Sequence, residues 1–296
     1  MTEPRDEFDS PWKDILEAYF QDFMQFFFPQ IHADIDWSRG YDFLDQELRQ
    51  VVRDAELGKR LVDKLVKVWK RSGEETWVLA HIEIQSQEES NFSDRMFVYY
   101  YRLRDRYKQP IASLAILGDE RATWRPQPFQ EELWGCRVLF AFPMIKLLDY
   151  ESRWVELEGS RNPFAIAVMA HLKTKETRHD AEARKEWKFR LTRRLYEQGY
   201  ERQAILNLFR FLDWIMELPE GLKQTFWAEL EQYERERQMP YITSIEQIGI
   251  EKGREAERQA IARNLLRENI SLEIIAQATG LTLAQLQQLQ ASQQQE

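Results

Sequence analysis

The sequence contains little cysteine and histidine: a single cysteine, Cys136, and four histidines in 296 residues. One cysteine cannot form a disulfide within the chain, which excludes disulfide-stapled folds and favours a reducing compartment. We therefore expect a cytoplasmic protein. A structural zinc site needs about four cysteine or histidine ligands, so such a site is not expected either.

Long apolar runs and long runs of one charge are also absent. The most apolar early run, residues 19–28, is interrupted by polar residues and is too short to cross a bilayer, so no membrane partner is expected. The acidic N-terminal residues include no basic stretch followed by an apolar core, so no secretory signal is expected. The net charge of −9 argues against a scaffold that grips nucleic acid along its whole surface, but it is compatible with an enzyme that has a local basic cleft.

The sequence does contain enough apolar residues, 43%, for a sizeable core. Helix and strand patterns follow one another as helix, strands, helix and strand, and almost everything from residue 162 onward is helical. We therefore predict an α/β fold with an all-helical C-terminal half, divided into residues 1–152, 153–240 and 241–296.

Local signals predict the first elements. Ser10-Pro11 indicates the start of a helix that ends at Pro29. A first strand is predicted over residues 48–53, and a β-hairpin over residues 61–70 and 76–85.

Further signals predict the later elements. Ser93 should cap a helix that ends near Tyr107, and the apolar run 111–117 is typical of a strand buried on both faces. Two more strands are predicted over residues 134–142 and 144–148. Breaks between the later helices are predicted near residues 178–180, Gly199, Pro219 and Pro240.

The predicted hairpin brings two carboxylates together. If it folds about Gly73 so that facing residue numbers sum to 146, Asp63 lies opposite Glu83, and Gln85 projects from the same face. Facing Cβ atoms are about 4.5–5.5 Å apart, so the two like charges repel each other. A hard divalent cation such as Mg²⁺ would offset this repulsion and could bind a substrate phosphate. The arrangement points to phosphodiester chemistry.

A structural interpretation of the same residues is equally open to the sequence. Acidic residues at a sheet end are often solvated and neutralised by nearby Lys or Arg, and a one-residue slip of register would separate the two carboxylates. On spacing alone, this simpler interpretation is favoured.

Three segments resemble one protein family. They are Val62-Asp-Lys-Leu-Val-Lys-Val-Trp69, His81-Ile-Glu-Ile-Gln-Ser-Gln87 and Phe92-Ser-Asp-Arg-Met-Phe-Val-Tyr-Tyr100. They are similar to the Rpn family, recombination-promoting nucleases also described as transposases, within the PD-(D/E)XK nuclease superfamily. The likeness includes residues 34–40, 133–136 and 239–246.

The resemblance implies a restriction-endonuclease-like core, a mixed central β-sheet flanked by helices, in residues 1–152. The residue pattern itself predicts a helical region over residues 153–240, and a long charged helix with a small helical hairpin over residues 241–296. The implied activity is that of a DNA endonuclease dependent on Mg²⁺, or on Mn²⁺ or Ca²⁺, in recombination, transposition or defence. RNA is an alternative substrate, and a non-catalytic interaction and assembly module that keeps the nuclease fold is the alternative function.

The same resemblance assigns site residues. Asp63 and Glu83 match metal-binding positions, and Gln85 matches the position of the superfamily's lysine, where it would orient the attacking water. Rpn-like families themselves carry glutamine there, but an amide supplies no positive charge. Val62 stands where the superfamily's motif has proline. The carbonyl of Ile84 is a further candidate ligand, and so is Glu17 in the first helix.

The helix that follows the hairpin carries a basic stripe with Arg95, Tyr99, Arg102 and Arg106 at helical spacing. It is expected to pack across the sheet, so that Arg95 and Tyr99 hold a scissile phosphate or order Glu83 and Gln85. The alternative is an amphipathic helix whose arginines lie in water. The two interpretations carry equal weight for Arg95, and the second is favoured for Arg102 and Arg106.

Two later segments could also contact DNA. Residues 184–194 are rich in Lys and Arg, but interleaved glutamates favour a solvated face. Residues 271–289 have helix–turn–helix form, yet the second helix lacks Lys and Arg for phosphate contacts. A small unit for helical packing or for self-association is the preferred interpretation, so a homo-oligomer formed through the helical C-terminal half is one expectation.

Overall fold

The computed structural model describes residues 11–48, 62–83, 91–119 and 121–244, and for residues 62, 63 and 80–83 it describes the backbone. The chain divides into two compact units, Met1–Phe226 and Trp227–Glu296. The predicted boundary after residue 152 falls inside the first unit. No helix among the described residues has the length and apolar character needed to cross a membrane.

The predicted α/β class is confirmed: a mixed sheet is flanked by helices and followed by a helical half. The strands of the described residues are β1 (Asp42–Phe43), β2 (Val62–Trp69), β3 (Glu75–Glu83), β4 (Ile111–Leu117), β5 (Phe129–Leu133), β6 (Cys136–Phe140) and β7 (Met144–Lys146). The five-stranded sheet has the order β1-β2-β3-β4-β7. Its first three strands are antiparallel, β4 runs parallel to β3, and β7 runs parallel to β4. Strands β5 and β6 form a separate hairpin.

The helices of the described residues are α1 (Pro11–Ala18), α2 (Phe20–Phe27), α3 (Pro29–Asp34), α4 (Phe92–Tyr107), α5 (Trp154–Gly159), α6 (Pro163–Glu176), α7 (Ala181–Glu197), α8 (Arg202–Ile215) and α9 (Glu220–Arg237). Short 3-10 helices cover Trp37–Arg39 and Leu147–Arg153. The predicted breaks between the later helices are confirmed. Helix α6 is buried on all sides over its first ten residues, which is typical of a central core helix.

The register of the β2–β3 hairpin differs from the predicted one by two residues. Facing residue numbers sum to 144, so Val66 pairs with Val78 and Asp63 pairs with His81. The cause is the loop: Lys70 N–H bonds the Glu74 carbonyl at 2.8 Å, which leaves a three-residue loop. Gly73 occupies the last loop position with φ of 89°, the place where a left-handed residue follows a type I turn.

The sheet is covered on both faces. Leu65, Trp77 and Leu79 form a buried cluster with Tyr99 and Leu103 of α4 on one face. The opposite face, which includes Val66 and Val78, lies on the side of α1. Because both faces of this sheet are buried, a site formed by its described residues would lie at the ends of the strands.

Two predicted elements near the N-terminus need correction. The single helix over residues 10–29 is broken at Tyr19 (φ −135°, ψ 40°), and Pro29 begins α3 instead of ending a helix. The break lets α1 pack on α8 while α2 packs on α6. The first strand is β1, and Leu48 belongs to a helical turn over residues 45–48, where it packs into the α4 cluster. Residues 49–53 and Ser10 lie outside the described residues.

Two predictions around α4 and β6 also need correction. Helix α4 ends at Tyr107 as predicted, but its N-cap is Asn91, and the Ser93 hydroxyl instead donates to the carbonyl of Gln127. The predicted strand over residues 134–142 is shorter, because Trp134 and Gly135 turn the chain between β5 and β6. Strand β7 ends at Lys146, where a 3-10 helix begins.

Candidate functional site

Charged residues lie at one edge of the five-stranded sheet, the edge that is formed by the ends of its central strands. Because β3, β4 and β7 are parallel and β2 is antiparallel to β3, the start of β2 and the ends of the other three lie together. This charged edge contains Asp63, Glu83, Asp119 and Lys146. Glu83 is aligned with Leu117 of β4, and Leu117 with Lys146 of β7.

Asp63 and Glu83 are diagonal neighbours at this edge. Asp63 pairs with His81, and Glu83 follows two residues later on the same strand. Positions 63, 81 and 83 therefore share one face, because alternate residues of a strand do. Diagonal positions are about 7–8 Å apart, which is farther than the directly facing positions that the sequence predicted. The predicted direct opposition of Asp63 and Glu83 is thus wrong. Ile84 and Gln85 lie outside the described residues.

Helix α4 begins over the charged edge. Its residues Phe92 and Met96 pack against Ala115 and Leu117, at the end of β4. The first turn of a helix carries a partial positive charge from its free N–H groups, which stabilises nearby anions. The charged edge therefore lies next to a favourable electrostatic environment for carboxylates and phosphate.

The two predicted substrate-binding residues of α4 are both buried. Arg95 is 7% exposed and its guanidinium lies 5.5 Å from the ring centroid of Phe92. Tyr99 is 1% exposed and packs against Leu65 and Leu79 of the sheet. The alternative in which Arg95 lies in water is therefore wrong, whereas Arg106 is exposed. Tyr99 contributes to the core between α4 and the sheet.

Sequence reasoning missed a buried ion pair at the same edge. The Lys146 ammonium contacts Asp119 Oδ2 at 2.7 Å and Oδ1 at 2.9 Å, and it donates to the Trp124 carbonyl at 2.9 Å. Asp119 also accepts from the backbone N–H of Arg121 at 2.9 Å. A lysine in an otherwise apolar strand was the available signal. Lys146 thus links the end of β7 to Asp119 and to the loop that follows β4.

On the opposite face of β2, Lys64 engages the candidate ligand Glu17. The Lys64 ammonium contacts the carboxylate of Glu17 and that of Asp45, the latter at 2.9 Å. Burial, followed by the nearby charge of Lys13, lowers the pKa of Lys64 to about 8. The ammonium is therefore still charged at neutral pH, and the two carboxylates stabilise that form. Lys64 and Asp63 are adjacent in the strand and therefore lie on opposite faces of the sheet. Glu17 thus contacts the face opposite to that of Asp63.

The basic segment of α7 is largely paired within the protein. Lys188 is buried and contacts Asp213 at 2.6 Å, which corrects the predicted solvated face at this position. Arg190 contacts Glu158 and Arg184 donates to the carbonyls of Thr174 and Thr177. These cations are engaged with the fold, which favours a structural role. Residues 271–289 lie outside the described residues.

No group of three or more possible metal ligands occurs among the side chains that the structure describes. No protein-family model, curated protein or solved structure matches this chain at a significant level. The likeness to the Rpn family therefore rests on the sequence motifs alone.

Proposed function

We propose that the chain is a Mg²⁺-dependent DNA endonuclease of the Rpn type, and that its mixed sheet is a restriction-endonuclease-like core. The supporting observation is the register at the charged edge. Asp63 and Glu83 occupy the same face at the same end of two neighbouring strands, although 19 residues separate them along the chain.

The positions of the two carboxylates fit a shared cation. Diagonal strand neighbours are about 7–8 Å apart. An aspartate, a glutamate and two Mg–O bonds of about 2.1 Å each are long enough to bridge that separation. Bound Mg²⁺ would polarise a phosphoryl oxygen and lower the pKa of a bound water. Asp63 and Glu83 would hold the ion, and the Gln85 amide would orient the attacking water by hydrogen bonds.

The buried position of Arg95 changes the role that we assign to it. A guanidinium beneath the first turn of α4 is suited to position the residues of the charged edge. Tyr99, which fills the core between α4 and the sheet, would hold α4 at a fixed distance from the sheet. Phosphate would approach from the open end of the strands, where the N-terminal dipole of α4 favours an anion.

The test is plasmid nicking in Mg²⁺ by the parent protein and by the Asp63→Asn and Glu83→Gln variants. Each substitution keeps the side chain's size and removes one anionic ligand. We expect nicking to fall by about 100-fold or more in each variant, because the ion is held by few protein ligands. Glu74→Gln is the matched control, since Glu74 is exposed at the opposite end of the hairpin and pairs with Lys70. This control should cut at the parental rate.

Metal binding provides a second, independent readout. Mn²⁺ titration followed by electron paramagnetic resonance should show one bound ion per chain in the parent and in Glu74→Gln, with weaker binding in both site variants. A parent that binds no divalent ion and cuts neither DNA nor RNA would contradict the proposal. That result would favour the non-catalytic assembly module.

A further inference from the structure

The β5–β6 hairpin has an unusual tip. Leu133 pairs with Cys136, so Trp134 and Gly135 form a two-residue turn in which both residues have positive φ, 49° and 85°. Such turns are normally built from Asn and Gly, because a bulky side chain is strained in the left-handed region. Trp134 is also 97% exposed, so its ring gains nothing from the fold of its own chain. A strained and exposed tryptophan suggests a contact outside the chain.

The base of the hairpin is fixed, in contrast to its tip. Phe129 stacks on Phe97 of α4 with ring centroids 4.4 Å apart, and Phe140 lies 4.8 Å from Tyr100. The aromatic base therefore holds the hairpin at a defined position on α4. Beyond the base, the side chains of Leu133 and Leu139 are 58% and 65% exposed. The hairpin thus presents apolar side chains on a rigid support.

Both long edges of the hairpin are open within the described part of the chain. The backbone hydrogen bonds of residues 129–140 are those between β5 and β6, and no bond joins either outer edge to another described segment. An open strand edge is a template for another strand, and natural proteins usually protect it with charge or a covering element. Pairing with an added strand is a common mode of recognition.

The charges of the two edges favour β6. A twofold antiparallel pairing through β5 would place Glu131 opposite the partner's Glu131, and like charges at facing positions are destabilising. A pairing through β6 centred on Val138 has no such clash. Val138 then faces its own copy, Cys136 faces the partner's Phe140, and Arg137 faces the partner's Leu139.

The one charge of β6 is already neutralised. Arg137 contacts Glu132 of β5 at 2.8 Å, so the β6 edge carries no net charge into the contact. The aliphatic stem of Arg137 can cover the exposed Leu139 of the partner. Because Cys136 faces the partner's Phe140, the turn that precedes Cys136 reaches the partner's aromatic base, where Trp134 finds apolar neighbours.

We propose that two copies of the chain associate through β6, forming a four-stranded antiparallel sheet in the order β5-β6-β6-β5 with Val138 on the twofold axis. The contact is isologous, as expected for a cyclic dimer. Two short strands and two tips form a small interface, in the class below about 1,200 Å² that gives weak and transient complexes. The dimer should therefore depend on concentration.

Disulfide cross-linking tests the register. In a Cys136→Ser background, Val138→Cys places two thiols at facing positions, within the Cα separation of about 4.4–6.8 Å that a disulfide needs. The expected result is a covalent dimer as the main species after mild oxidation. In the parent, the two Cys136 residues lie about four strand positions apart, or roughly 14 Å, and should cross-link at least about tenfold less.

Sedimentation tests the association itself. The parent should change from monomer to dimer over about 1–100 µM, the range in which weak interfaces dissociate. Val138→Lys places two ammonium groups opposite each other and should remain monomeric. The matched control, Gln130→Lys, adds the same charge at an exposed position of β5 away from the tip and should still dimerise.

Three results would overturn the proposal: a parent that stays monomeric throughout, a dimer that Val138→Lys leaves intact, or equal cross-linking through Cys136 and Val138→Cys. A hairpin that instead contacts DNA or a different protein would give the first of these results. Circular dichroism of each variant confirms that the fold is retained.

Discussion

Lys146 and Asp119 show how individual residues set the properties of the sheet. Both side chains are buried, and each is bound to the other and to backbone groups of the loop that follows β4. Removing a charge from water costs several kcal/mol, so a buried pair is tolerated only when its hydrogen-bonding groups are engaged. At the charged edge this condition is met by residues from β4, β7 and the loop between β4 and β5.

Replacing Lys146 by methionine should destabilise the protein by about 3–5 kcal/mol, because the carboxylate of Asp119 remains buried without its cation. The measurement is the free energy of unfolding from urea denaturation. Combining Lys146→Met with Asp119→Asn should cost less than the sum of the two single changes, since neither charge is then left alone. Additive losses would show that the two residues act independently.

Tyr200 gives the folded protein a pH dependence in alkali. Its hydroxyl donates to the Arg161 carbonyl at 2.5 Å, and burial raises the pKa of Tyr200 from 10.0 to about 12. The unfolded chain loses this proton near pH 10, whereas the folded chain keeps it until about pH 12. The stability that the half-buried phenol contributes is therefore complete below pH 10 and is lost as the pH rises from 10 to 12.

Melting temperatures at several pH values between 9 and 12 test this behaviour. The melting temperature of the parent should fall more steeply above pH 10 than that of Tyr200→Phe, which has no proton to lose. Other tyrosines titrate in both proteins, so the difference between the two curves isolates residue 200. Parallel curves would contradict the prediction.

At the scale of elements, local signals predicted some elements and missed others. The end of α4 was predicted from the Gln-Pro break, and β4 was predicted from the continuous apolar run that follows it. Each signal lies within one short segment of the sequence. Strand β5 was missed because Glu131 and Glu132 make it polar, and its turn contains Trp134 where a turn signal would have Asn. The hairpin register was wrong because it depends on loop length, which Gly73 alone does not specify.

The candidate site, like the secondary-structure elements, was predicted only in part. The shared face of Asp63 and Glu83 survives the corrected register, because a shift of two residues preserves alternation. The predicted direct opposition of Asp63 and Glu83 depended on the length of the loop, and it does not occur in the observed register. The contact between Lys146 and Asp119 depends on the crossover that sets β7 beside β4, with the β5–β6 hairpin between them in sequence. Long-range pairing of this kind leaves no periodic signal.

At the scale of the whole first unit, the N-terminal helices join the sheet to the helical half. The ring centroids of Trp12 in α1 and Phe211 in α8 are 4.9 Å apart, and those of Phe23 in α2 and Phe164 in α6 are 5.3 Å apart. The same α1 lies beside β2 of the sheet. Helices α1 and α2 therefore contact elements on both sides of residue 152 within the first unit.

Replacing Trp12 by alanine should therefore destabilise the entire first unit. Trp12 is fully buried, and a change of this size in a core costs about 3–5 kcal/mol. Unfolding followed by far-ultraviolet circular dichroism should show the sheet and the helices losing stability in one transition. Trp134→Ala is the control, because an exposed tryptophan should change stability by no more than about 0.5 kcal/mol. Loss of the helices alone would show that α1 does not couple the two layers.

The contact between Trp12 and Phe211 also has a consequence for biosynthesis. Helix α1 leaves the ribosome before the partner that covers its tryptophan, because Phe211 is translated almost 200 residues later. During that interval the nascent chain exposes the apolar side of α1 to solvent. Chaperones that bind short apolar segments should therefore engage α1 until translation has passed α8.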